Sequence, residues 1–273
     1  MSPLFRLIAL VIWSAVCVLL IGLLKIIFVK KANGLPQIFH AGVLKIFGLQ
    51  ITQLGSMRSE RPTFFISNHI SYLDIFVLGA VIDGSFVAKA EVSKWPIVGF
   101  MAKLQRTIFI ERQRRSSTGE QRNMLRLRLE ESDNVILFPE GTSHDGARVL
   151  SFKSALFAAA EREIDGSPVM IQPVSIAYTT MDGLPLTRAQ RSTVAWYGDM
   201  SLLPHIIQFL KASRTGVTLK FHEPTSIKEH QNRRKLASFC YQVVADGVQD
   251  VIYDRNPAAN HSLAHTGYNQ SKP

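Results

Sequence analysis

The chain has 273 residues, of which 47% are hydrophobic and 19% charged, and its 31 Lys and Arg against 21 Asp and Glu give a formal net charge of +10. This length suits one domain or two small ones with a sizeable core, and the apolar content excludes a disordered polypeptide. Two cysteines are too few for a scaffold held by disulfides. The positive excess predicts an anionic partner, and composition leaves open nucleic acid, an acidic membrane surface and phosphorylated substrates.

An uncharged run of eighteen residues begins near the N-terminus, from Leu7 to Leu24, with Arg6 before it and Lys25 after it. About 20 apolar residues cross a hydrocarbon core of about 30 Å, so residues 1–32 are predicted to form a transmembrane or membrane-anchoring helix. A signal peptide is one alternative, but the run is long for one and no A-x-A-like cleavage site follows it. A buried helix of a soluble protein is another, although a helix apolar on every face needs an unusually large core.

Basic residues are more frequent after this run than before it. Lys25, Lys30 and Lys31 follow it, whereas Arg6 precedes it. Because basic loops remain in the cytoplasm, this bias predicts a cytoplasmic location for the rest of the chain. The next stretch, residues 38–51, is equally well interpreted as a segment at the membrane interface and as an ordinary packed amphipathic helix.

From about residue 62, short β-branched or aromatic runs alternate with helical periodicity. The predicted strands are residues 63–67, 85–89, 106–111, 134–138, 169–178, 193–198 and 217–221. The predicted helices are residues 73–81, 118–131, 152–164, 203–213 and 229–252. This alternation predicts an α/β domain over residues 33–255, with a mixed, mostly parallel central sheet flanked by helices. The polar, aperiodic residues 256–273 are predicted to be a disordered tail.

Catalytic residues are expected at strand ends, and the first predicted strand is followed by His69 and, five residues later, Asp74. This spacing is about 1.4 helical turns, which lets the carboxylate reach back to the imidazole. A carboxylate on one ring nitrogen leaves the other free to take a proton from a hydroxyl. In isolation the pattern is more typical of a helix-capping histidine and a solvent-facing aspartate. A metal site would need further ligands.

Two other loops carry polar residues after strands. Glu140, Gly141 and Thr142 follow the fourth predicted strand, where a glycine permits a sharp turn and a hydroxyl suits an anion or polar headgroup, although a plain loop is the simpler interpretation. Arg112 follows the third predicted strand and has the geometry for bidentate bonds to a phosphate. Residues 102–128 contain eight basic and two acidic side chains. They suit solvated helix faces or anionic lipid, and the lack of interleaved aromatics disfavours nucleic acid.

Four short blocks occur in a fixed order along the chain. They are Asn68-His69-x4-Asp74, Ile108-Phe109-Ile110-x-Arg112, Phe138-Pro139-Glu140-Gly141-Thr142 and Ile171-Gln172-Pro173-Val174. Together they resemble the four blocks of the glycerolipid acyltransferases, and the chain looks most like the bacterial 1-acylglycerol-3-phosphate acyltransferases over roughly residues 62–178. Their joint occurrence in order is far more specific than any one block.

The resemblance implies an O-acyltransferase of the inner membrane that needs no cofactor or metal. It would move an acyl chain from acyl-CoA or acyl-ACP to the free hydroxyl of a lysophospholipid, first of all 1-acyl-sn-glycerol-3-phosphate, which gives phosphatidic acid. His69 would be the general base on that hydroxyl, and Asp74 would orient it. The implied partners are the acyl donor, the lysophospholipid and an anionic membrane surface, without nucleic acid.

The resemblance also implies a set of substrate-binding residues. Arg112 would bind the phosphate of the acceptor or an equivalent anionic group, with Glu140 and Gly141 in the other half of that site and Thr142 beside them. Lys89 matches a position that is commonly basic in the family.

The sequence leaves open the identity of the acceptor and the class of activity. The continuation Asp145-Gly146-x-x-Val149-Leu150-x-Phe152-Lys153-Ser154 resembles the branch that acylates lyso-ornithine lipid, which is therefore the alternative acceptor. A thioester or phosphoester hydrolase, in which His69 activates water, is a different class of enzyme, and a membrane-surface binder without catalysis is a third.

Overall fold

The computed structural model describes residues 2–27, 34–110, 124–125, 127–161, 163–164 and 166–253. Arg112 and the predicted tail of residues 256–273 lie outside these ranges. The described α-helices are α1 (Pro3–Ile27), α2 (Leu35–Phe47), α3 (Leu73–Val81), α4 (Val98–Leu104), α5 (Arg191–Val194), α6 (Leu202–Phe209) and α7 (Arg233–Tyr253). Residues 124–125 and 127–130 are also helical. Shorter 3₁₀ helices cover Ala90–Lys94, Ser154–Glu161, Arg188–Gln190 and Ile227–Glu229.

The strands form one large sheet and one short hairpin. They are β1 (Leu49–Leu54), β2 (Thr63–Ser67), β3 (Gly84–Lys89), β4 (Ile108–Ile110), β5 (Asn134–Leu137), β6 (Glu163–Ile164), β7 (Ser167–Pro168), β8 (Met170–Met181), β9 (Leu184–Pro185), β10 (Thr215–Phe221) and β11 (Thr225–Ser226). Among the described residues the large sheet has nine strands, in the order β1-β10-β8-β2-β5-β3-β4, with β9 and β11 also paired to β8.

The large sheet is mixed and mostly parallel, which confirms the predicted fold class. β2 runs parallel to β8 and β5, and β3 runs parallel to β5 and β4. β10 is antiparallel to β8, and β1 is parallel to β10. The central position of β2 between two parallel neighbours is what places the loop that follows it at the middle of the sheet's carboxyl edge.

Helices cover both faces of the sheet. Phe65 of β2 packs into one cluster with residues of α2, α3 and α6, whereas its neighbours Phe64 and Ile66 pack into a second cluster with residues of α7. Successive strand residues point to opposite faces, so a strand buried on both sides is apolar throughout rather than alternating. This explains the continuous hydrophobic run that predicted β2.

Two sequence-based assignments were wrong. The predicted strand at residues 193–198 is instead the helical turn α5 followed by irregular chain, and its apolar residues Val194 and Ala195 are buried without pairing in the sheet. The predicted helix at residues 152–164 is a 3₁₀ helix that ends at Glu161, because a turn at Gly166 with φ +74° reverses the chain into the β6–β7 hairpin.

Residues 38–51, which the sequence analysis takes as one stretch, divide between α2 and β1. Gly48 ends α2 in the left-handed conformation, with φ +67°, and β1 begins at the next residue and pairs with β10. A side chain at Gly48 would also lie within 2.2 Å of the Ser213 carbonyl oxygen, so glycine is required there twice over. α2 packs between α1 and α3, as the packed-helix interpretation of this stretch predicts.

The apolar helix α1 is fastened to the α/β domain along one face. The Arg6 guanidinium donates to the carbonyl oxygens of Ile46 at 2.7 Å, Leu210 at 2.8 Å and Ala212 at 2.5 Å. These carbonyls lie at the C-terminal ends of α2 and α6, where helices leave acceptors unpaired and carry partial negative charge. Trp13 Nε1 also donates to the Phe39 carbonyl at 3.0 Å. Arg6, counted above as a flanking charge, is therefore a buried anchor.

The other face of α1 is exposed and apolar. Among the described residues, α1 is the one helix long and apolar enough to cross a membrane, with a mean hydropathy of 2.7 over Pro3–Leu23. Leu4, Ile8, Leu19 and Leu23 are all exposed on it. An exposed apolar stripe of this length fits association with lipid.

Candidate active site

The site lies at the carboxyl edge of the sheet, where β2 and β5 end side by side. β2 leads into residues 68–74, which we call the dyad loop, and β5 leads into residues 138–150. Because the two strands are parallel and paired, the residues that follow them lie close together. Ligands of α/β sheets bind at this edge.

The structure brings His69 and Asp74 into contact, as their spacing predicted. Nδ1 of His69 lies 2.9 Å from Oδ2 of Asp74, whose side chain is fully buried, while the imidazole is 20% exposed. A carboxylate can only accept, so Nδ1 carries the hydrogen and Nε2 carries a lone pair. Among the residues that the structure describes, none makes a hydrogen bond to Nε2. That nitrogen is available to a substrate.

Asp74 is held by three further donors. Oδ2 accepts the backbone N–H of Ile70 at 2.6 Å and of Ser71 at 2.9 Å, and Oδ1 accepts the Tyr178 hydroxyl at 2.8 Å. Tyr178 comes from β8, the other neighbour of β2. Burial, reinforced by the Asp74 charge, raises the pKa of Tyr178 well above its usual value, so this hydroxyl remains a donor. The carboxylate therefore cannot rotate away from the imidazole.

Two more contacts fix the imidazole and its backbone. The His69 ring stacks on Phe138, with 4.1 Å between ring centroids and 15° between planes. The side-chain amide of Asn68 pairs with the backbone of Ile176 in both directions, each hydrogen bond being 2.9 Å long. The dyad loop is thus held to the residue after β5 by ring stacking. It is held to β8 by the Asn68 side-chain amide, which forms the two hydrogen bonds that a backbone strand pair would otherwise make.

Glu140 holds the backbone of the dyad loop in place through hydrogen bonds. Its Oε1 accepts the backbone N–H of His69 at 2.8 Å, and its Oε2 accepts the backbone N–H of Leu150 at 2.9 Å. Nε2 of His144 also lies 2.9 Å from Oε2, and the Glu140 side chain is fully buried. All these contacts are to the protein, so the direct contact between Glu140 and the acceptor stays a prediction.

Gly141 and Thr142 make the turn that follows. Gly141 has φ +77°, a conformation that favours glycine, and its N–H donates to the Phe138 carbonyl at 3.2 Å. Thr142 is exposed. The predicted sharp turn is present, while the binding role of both residues stays a prediction.

The chain is similar to other proteins in sequence and in fold. A family model described as acyltransferase matches residues 48–177. A lyso-ornithine lipid O-acyltransferase of Brucella abortus is 43% identical to this chain over 218 residues, which cover 77% of this chain and 82% of that protein. The chain belongs to the acyltransferase family.

Other relatives agree with this family. A 1-acyl-sn-glycerol-3-phosphate acyltransferase of Neisseria meningitidis is 36% identical over 121 residues, covering 44% of this acyltransferase and 47% of that one. The crystal structure of the 1-acyl-sn-glycerophosphate acyltransferase of Thermotoga maritima matches with a TM-score of 0.54 and 22% identity, over 90% of this chain and 97% of that one. The structural likeness establishes the shared fold.

One of the two predicted basic substrate-binding residues, Lys89, lies among the described residues of the acyltransferase. It is exposed at the end of β3 and is in register with Ile110, the last residue of β4. β3 ends at the same carboxyl edge of the sheet as β2, so Lys89 and the dyad loop belong to one edge. Arg112 lies outside the described residues, and the binding roles of both residues stay predictions.

Sequence reasoning missed two side chains that support the dyad. No sequence pattern links His144 to His69, yet it reaches the backbone of His69 through Glu140. Burial would lower the pKa of His144, but hydrogen bonding to Glu140 and the charges of Glu140 and Asp145 outweigh it and raise that pKa. Tyr178 is the last residue of the predicted strand 169–178. A tyrosine in a hydrophobic strand is ordinary core, so nothing in the pattern signalled it.

Proposed function

We propose that this acyltransferase is a membrane-associated O-acyltransferase that moves an acyl chain from an acyl-CoA or acyl-ACP thioester to a hydroxyl of a lysolipid. The observation that carries the proposal is the His69–Asp74 pair, with Nδ1 committed to a buried carboxylate and Nε2 open at the carboxyl edge of the sheet. This is the arrangement that a general base for an alcohol requires.

The reaction follows from that arrangement. Nε2 of His69 takes the proton of the acceptor hydroxyl as its oxygen attacks the thioester carbonyl carbon. The tetrahedral intermediate expels the thiolate, which receives the proton from the imidazolium. Asp74 stabilises the imidazolium between these steps and keeps the ring in one orientation. General-base assistance supplies about 10²–10⁴ in rate, and positioning of the two substrates supplies the remainder.

Direct transfer is preferred to an acyl-enzyme intermediate. Cys17 and Cys240 are both buried in helices, α1 and α7. Ser175 does contact a histidine, His222, at 2.8 Å, but its hydroxyl is buried and donates to the Val244 carbonyl at 2.9 Å. The hydrogen bond from Ser175 to Val244 joins β8 to α7. Neither cysteine nor Ser175 has the setting of a nucleophile.

We propose lyso-ornithine lipid as the preferred acceptor. The Brucella relative described above and a second protein, from Rhizobium meliloti, are both named lyso-ornithine lipid O-acyltransferase. The Rhizobium protein is 36% identical over 84% of this chain and 80% of that one. The stretch from Asp145 to Ser154 supports the same acceptor by resemblance. The second candidate is 1-acyl-sn-glycerol-3-phosphate, favoured by the Neisseria relative and by the four blocks.

The proposed location is the cytoplasmic side of the inner membrane. The exposed face of α1 would lie in lipid while its other face stays on the domain through Arg6 and Trp13. The cytoplasmic side is supported by Lys25, Lys30 and Lys31, which follow the apolar run in the sequence.

The test uses the purified full-length chain with a labelled acyl-CoA and a labelled acyl-ACP. Each donor is offered lyso-ornithine lipid, 1-acyl-sn-glycerol-3-phosphate, lysophosphatidylethanolamine or no acceptor. The proposal expects acylated ornithine lipid with kcat/KM at least tenfold above the other acceptors. A reversed preference would establish the second candidate. Equal thioester loss without any acceptor would identify a hydrolase and overturn the proposal.

A further inference from the structure

Four large apolar side chains are exposed within six residues, between the end of β3 and the middle of α4. Trp95 is 41% exposed, Ile97 76%, Val98 38% and Phe100 51%. We call these four residues the apolar rim. Single exposed apolar residues are common on soluble proteins, but a contiguous group of this kind marks a contact surface.

The backbone of the apolar rim is strained in a way that exposes Ile97. Ile97 has φ +62° and ψ −62°, and the N–H of Val98 donates to the Pro96 carbonyl at 2.6 Å. This is a three-residue γ-turn of the rare positive-φ form, here at a β-branched residue that disfavours it. Strain of this kind persists where function uses it. The turn directs a large apolar side chain outward instead of into the core.

The charge around the apolar rim identifies its partner. Lys89, Lys94 and Lys103 are exposed on this segment, against one exposed acid, Glu91. Apolar side chains that include a tryptophan and are bordered by lysines suit the interface of an anionic bilayer, where the apolar groups enter the acyl region and the lysines meet the headgroups.

The apolar rim also borders the catalytic site. The ring of Trp95 contacts the ring of Trp196 at 6.5 Å between centroids, and Trp196 contacts Tyr72 of the dyad loop at 6.0 Å. The backbone N–H of Trp196 donates to the Ile70 carbonyl at 3.1 Å. β3, which leads into this segment, ends at the same carboxyl edge as β2.

We propose that the apolar rim inserts into an anionic lipid bilayer and seats the entrance of the His69 site at the membrane surface, as a contact separate from α1. The proposal deepens the proposed function, because a lipid acceptor would then reach His69 without leaving the membrane. Its binding test needs neither donor nor acceptor, so it can fail or succeed independently of the proposed reaction.

The first experiment places an environment-sensitive fluorophore on the full-length Ile97→Cys variant. The native cysteines are buried, so labelling is selective. The control label is on Lys228→Cys, which follows β11 at the opposite edge of the sheet, where β11 pairs with the first residues of β8. With vesicles of phosphatidylglycerol and phosphatidylcholine, the label at position 97 is expected to shift to the blue and to be quenched by a quencher on the acyl chains. The control label is expected to stay water-exposed.

Two results would overturn the proposal. One is a position-97 label that remains water-exposed while sedimentation shows that the protein is bound to vesicles. The other is a blue shift without vesicles that grows with protein concentration, which would show that a second copy of the chain covers the apolar rim.

The second experiment separates the effect of the backbone strain at Ile97 from the effect of its apolar side chain. Ile97→Gly and Ile97→Ala both remove the apolar group and are expected to weaken binding to anionic vesicles by about tenfold. Only glycine relieves the positive φ, so Ile97→Gly is expected to have a higher Tm than Ile97→Ala. Unchanged vesicle affinity in both variants, with circular dichroism showing that both are folded, would contradict the proposal.

Discussion

The dyad loop and the apolar rim border the same site and are built in opposite ways. In the dyad loop, the Asp74 carboxylate has four donors and is fully buried, and the Asn68 amide is paired in both directions. In the apolar rim, large hydrophobic side chains face outward and the backbone at Ile97 is strained.

The two proposed roles account for this difference. A general base must be aligned before the substrate arrives, since alignment during the reaction would cost rate. A membrane contact must instead keep its apolar groups unpaired within the protein until the bilayer supplies the partner. Variants that change the dyad loop without the apolar rim, or the apolar rim without the dyad loop, test whether the two regions have separate roles.

The largest effect is expected from His69→Ala. Removing the imidazole removes the proposed general base, so kcat should fall by about 10²–10⁴ while vesicle binding remains unchanged. His230→Ala, which removes an imidazole that contacts Thr225 far from Asp74, is the matched control. Activity within tenfold of the parent would show that His69 is not the base.

Glu140→Gln should come next. A glutamine has one acceptor oxygen, so it cannot accept from both His69 and Leu150, and one buried N–H loses its partner. We expect a loss of about 1–3 kcal/mol in the free energy of unfolding, and up to about 10² in kcat as the dyad loop shifts. Denaturant titration and kinetics measure the two effects. Glu163→Gln, at an exposed ion pair with Lys228, should change neither.

Tyr178→Phe should have a smaller effect that concerns orientation. Loss of one donor to Asp74 should lower kcat roughly 3- to 10-fold and leave the acceptor KM unchanged. Tyr241→Phe, which removes a tyrosine hydroxyl from α7, is the control and should leave kcat unchanged. A kcat equal to that of the parent in Tyr178→Phe, measured with saturating acceptor, would reduce Tyr178 to a packing role.

The last prediction concerns stability near the apolar rim and involves no residue of the dyad. His40, which contacts Gln105 at the end of α4, is buried, and burial lowers its pKa to about 3. The unfolded chain binds that proton near pH 6.5 and the folded chain does not, so stability should fall as the pH drops below about 6.5, by about 1.4 kcal/mol per pH unit. His40→Gln should flatten the slope measured by thermal unfolding, with the remainder due to residues such as His222, whose pKa burial lowers to about 4. An equal slope in the variant would assign the acid sensitivity elsewhere.

Sequence patterns correctly predicted the strands and helices in which buried residues recur in a simple pattern along the chain. The strand of residues 63–67 and the helix of residues 73–81 match β2 and α3, because a strand buried on both faces and a helix between two layers leave clear hydrophobic patterns. The residues 193–198 have a strand-like composition, but they cover the dyad loop instead of pairing. Local composition indicates that a segment is buried, but it does not identify which part of the protein packs against that segment.

The sequence by itself determined the α/β class, the apolar N-terminal helix and the contact between His69 and Asp74, because these depend on local periodicity and on a spacing of five residues. Only the tertiary structure decided that Tyr178, 104 residues beyond Asp74, completes the hydrogen bonds of the Asp74 carboxylate. It also decided that Arg6 joins α1 to backbone carbonyls at the end of α6, more than 200 residues away. Such contacts depend on which strands and helices become neighbours. The order of strands in a sheet is set by packing of the whole domain, and no local pattern records it.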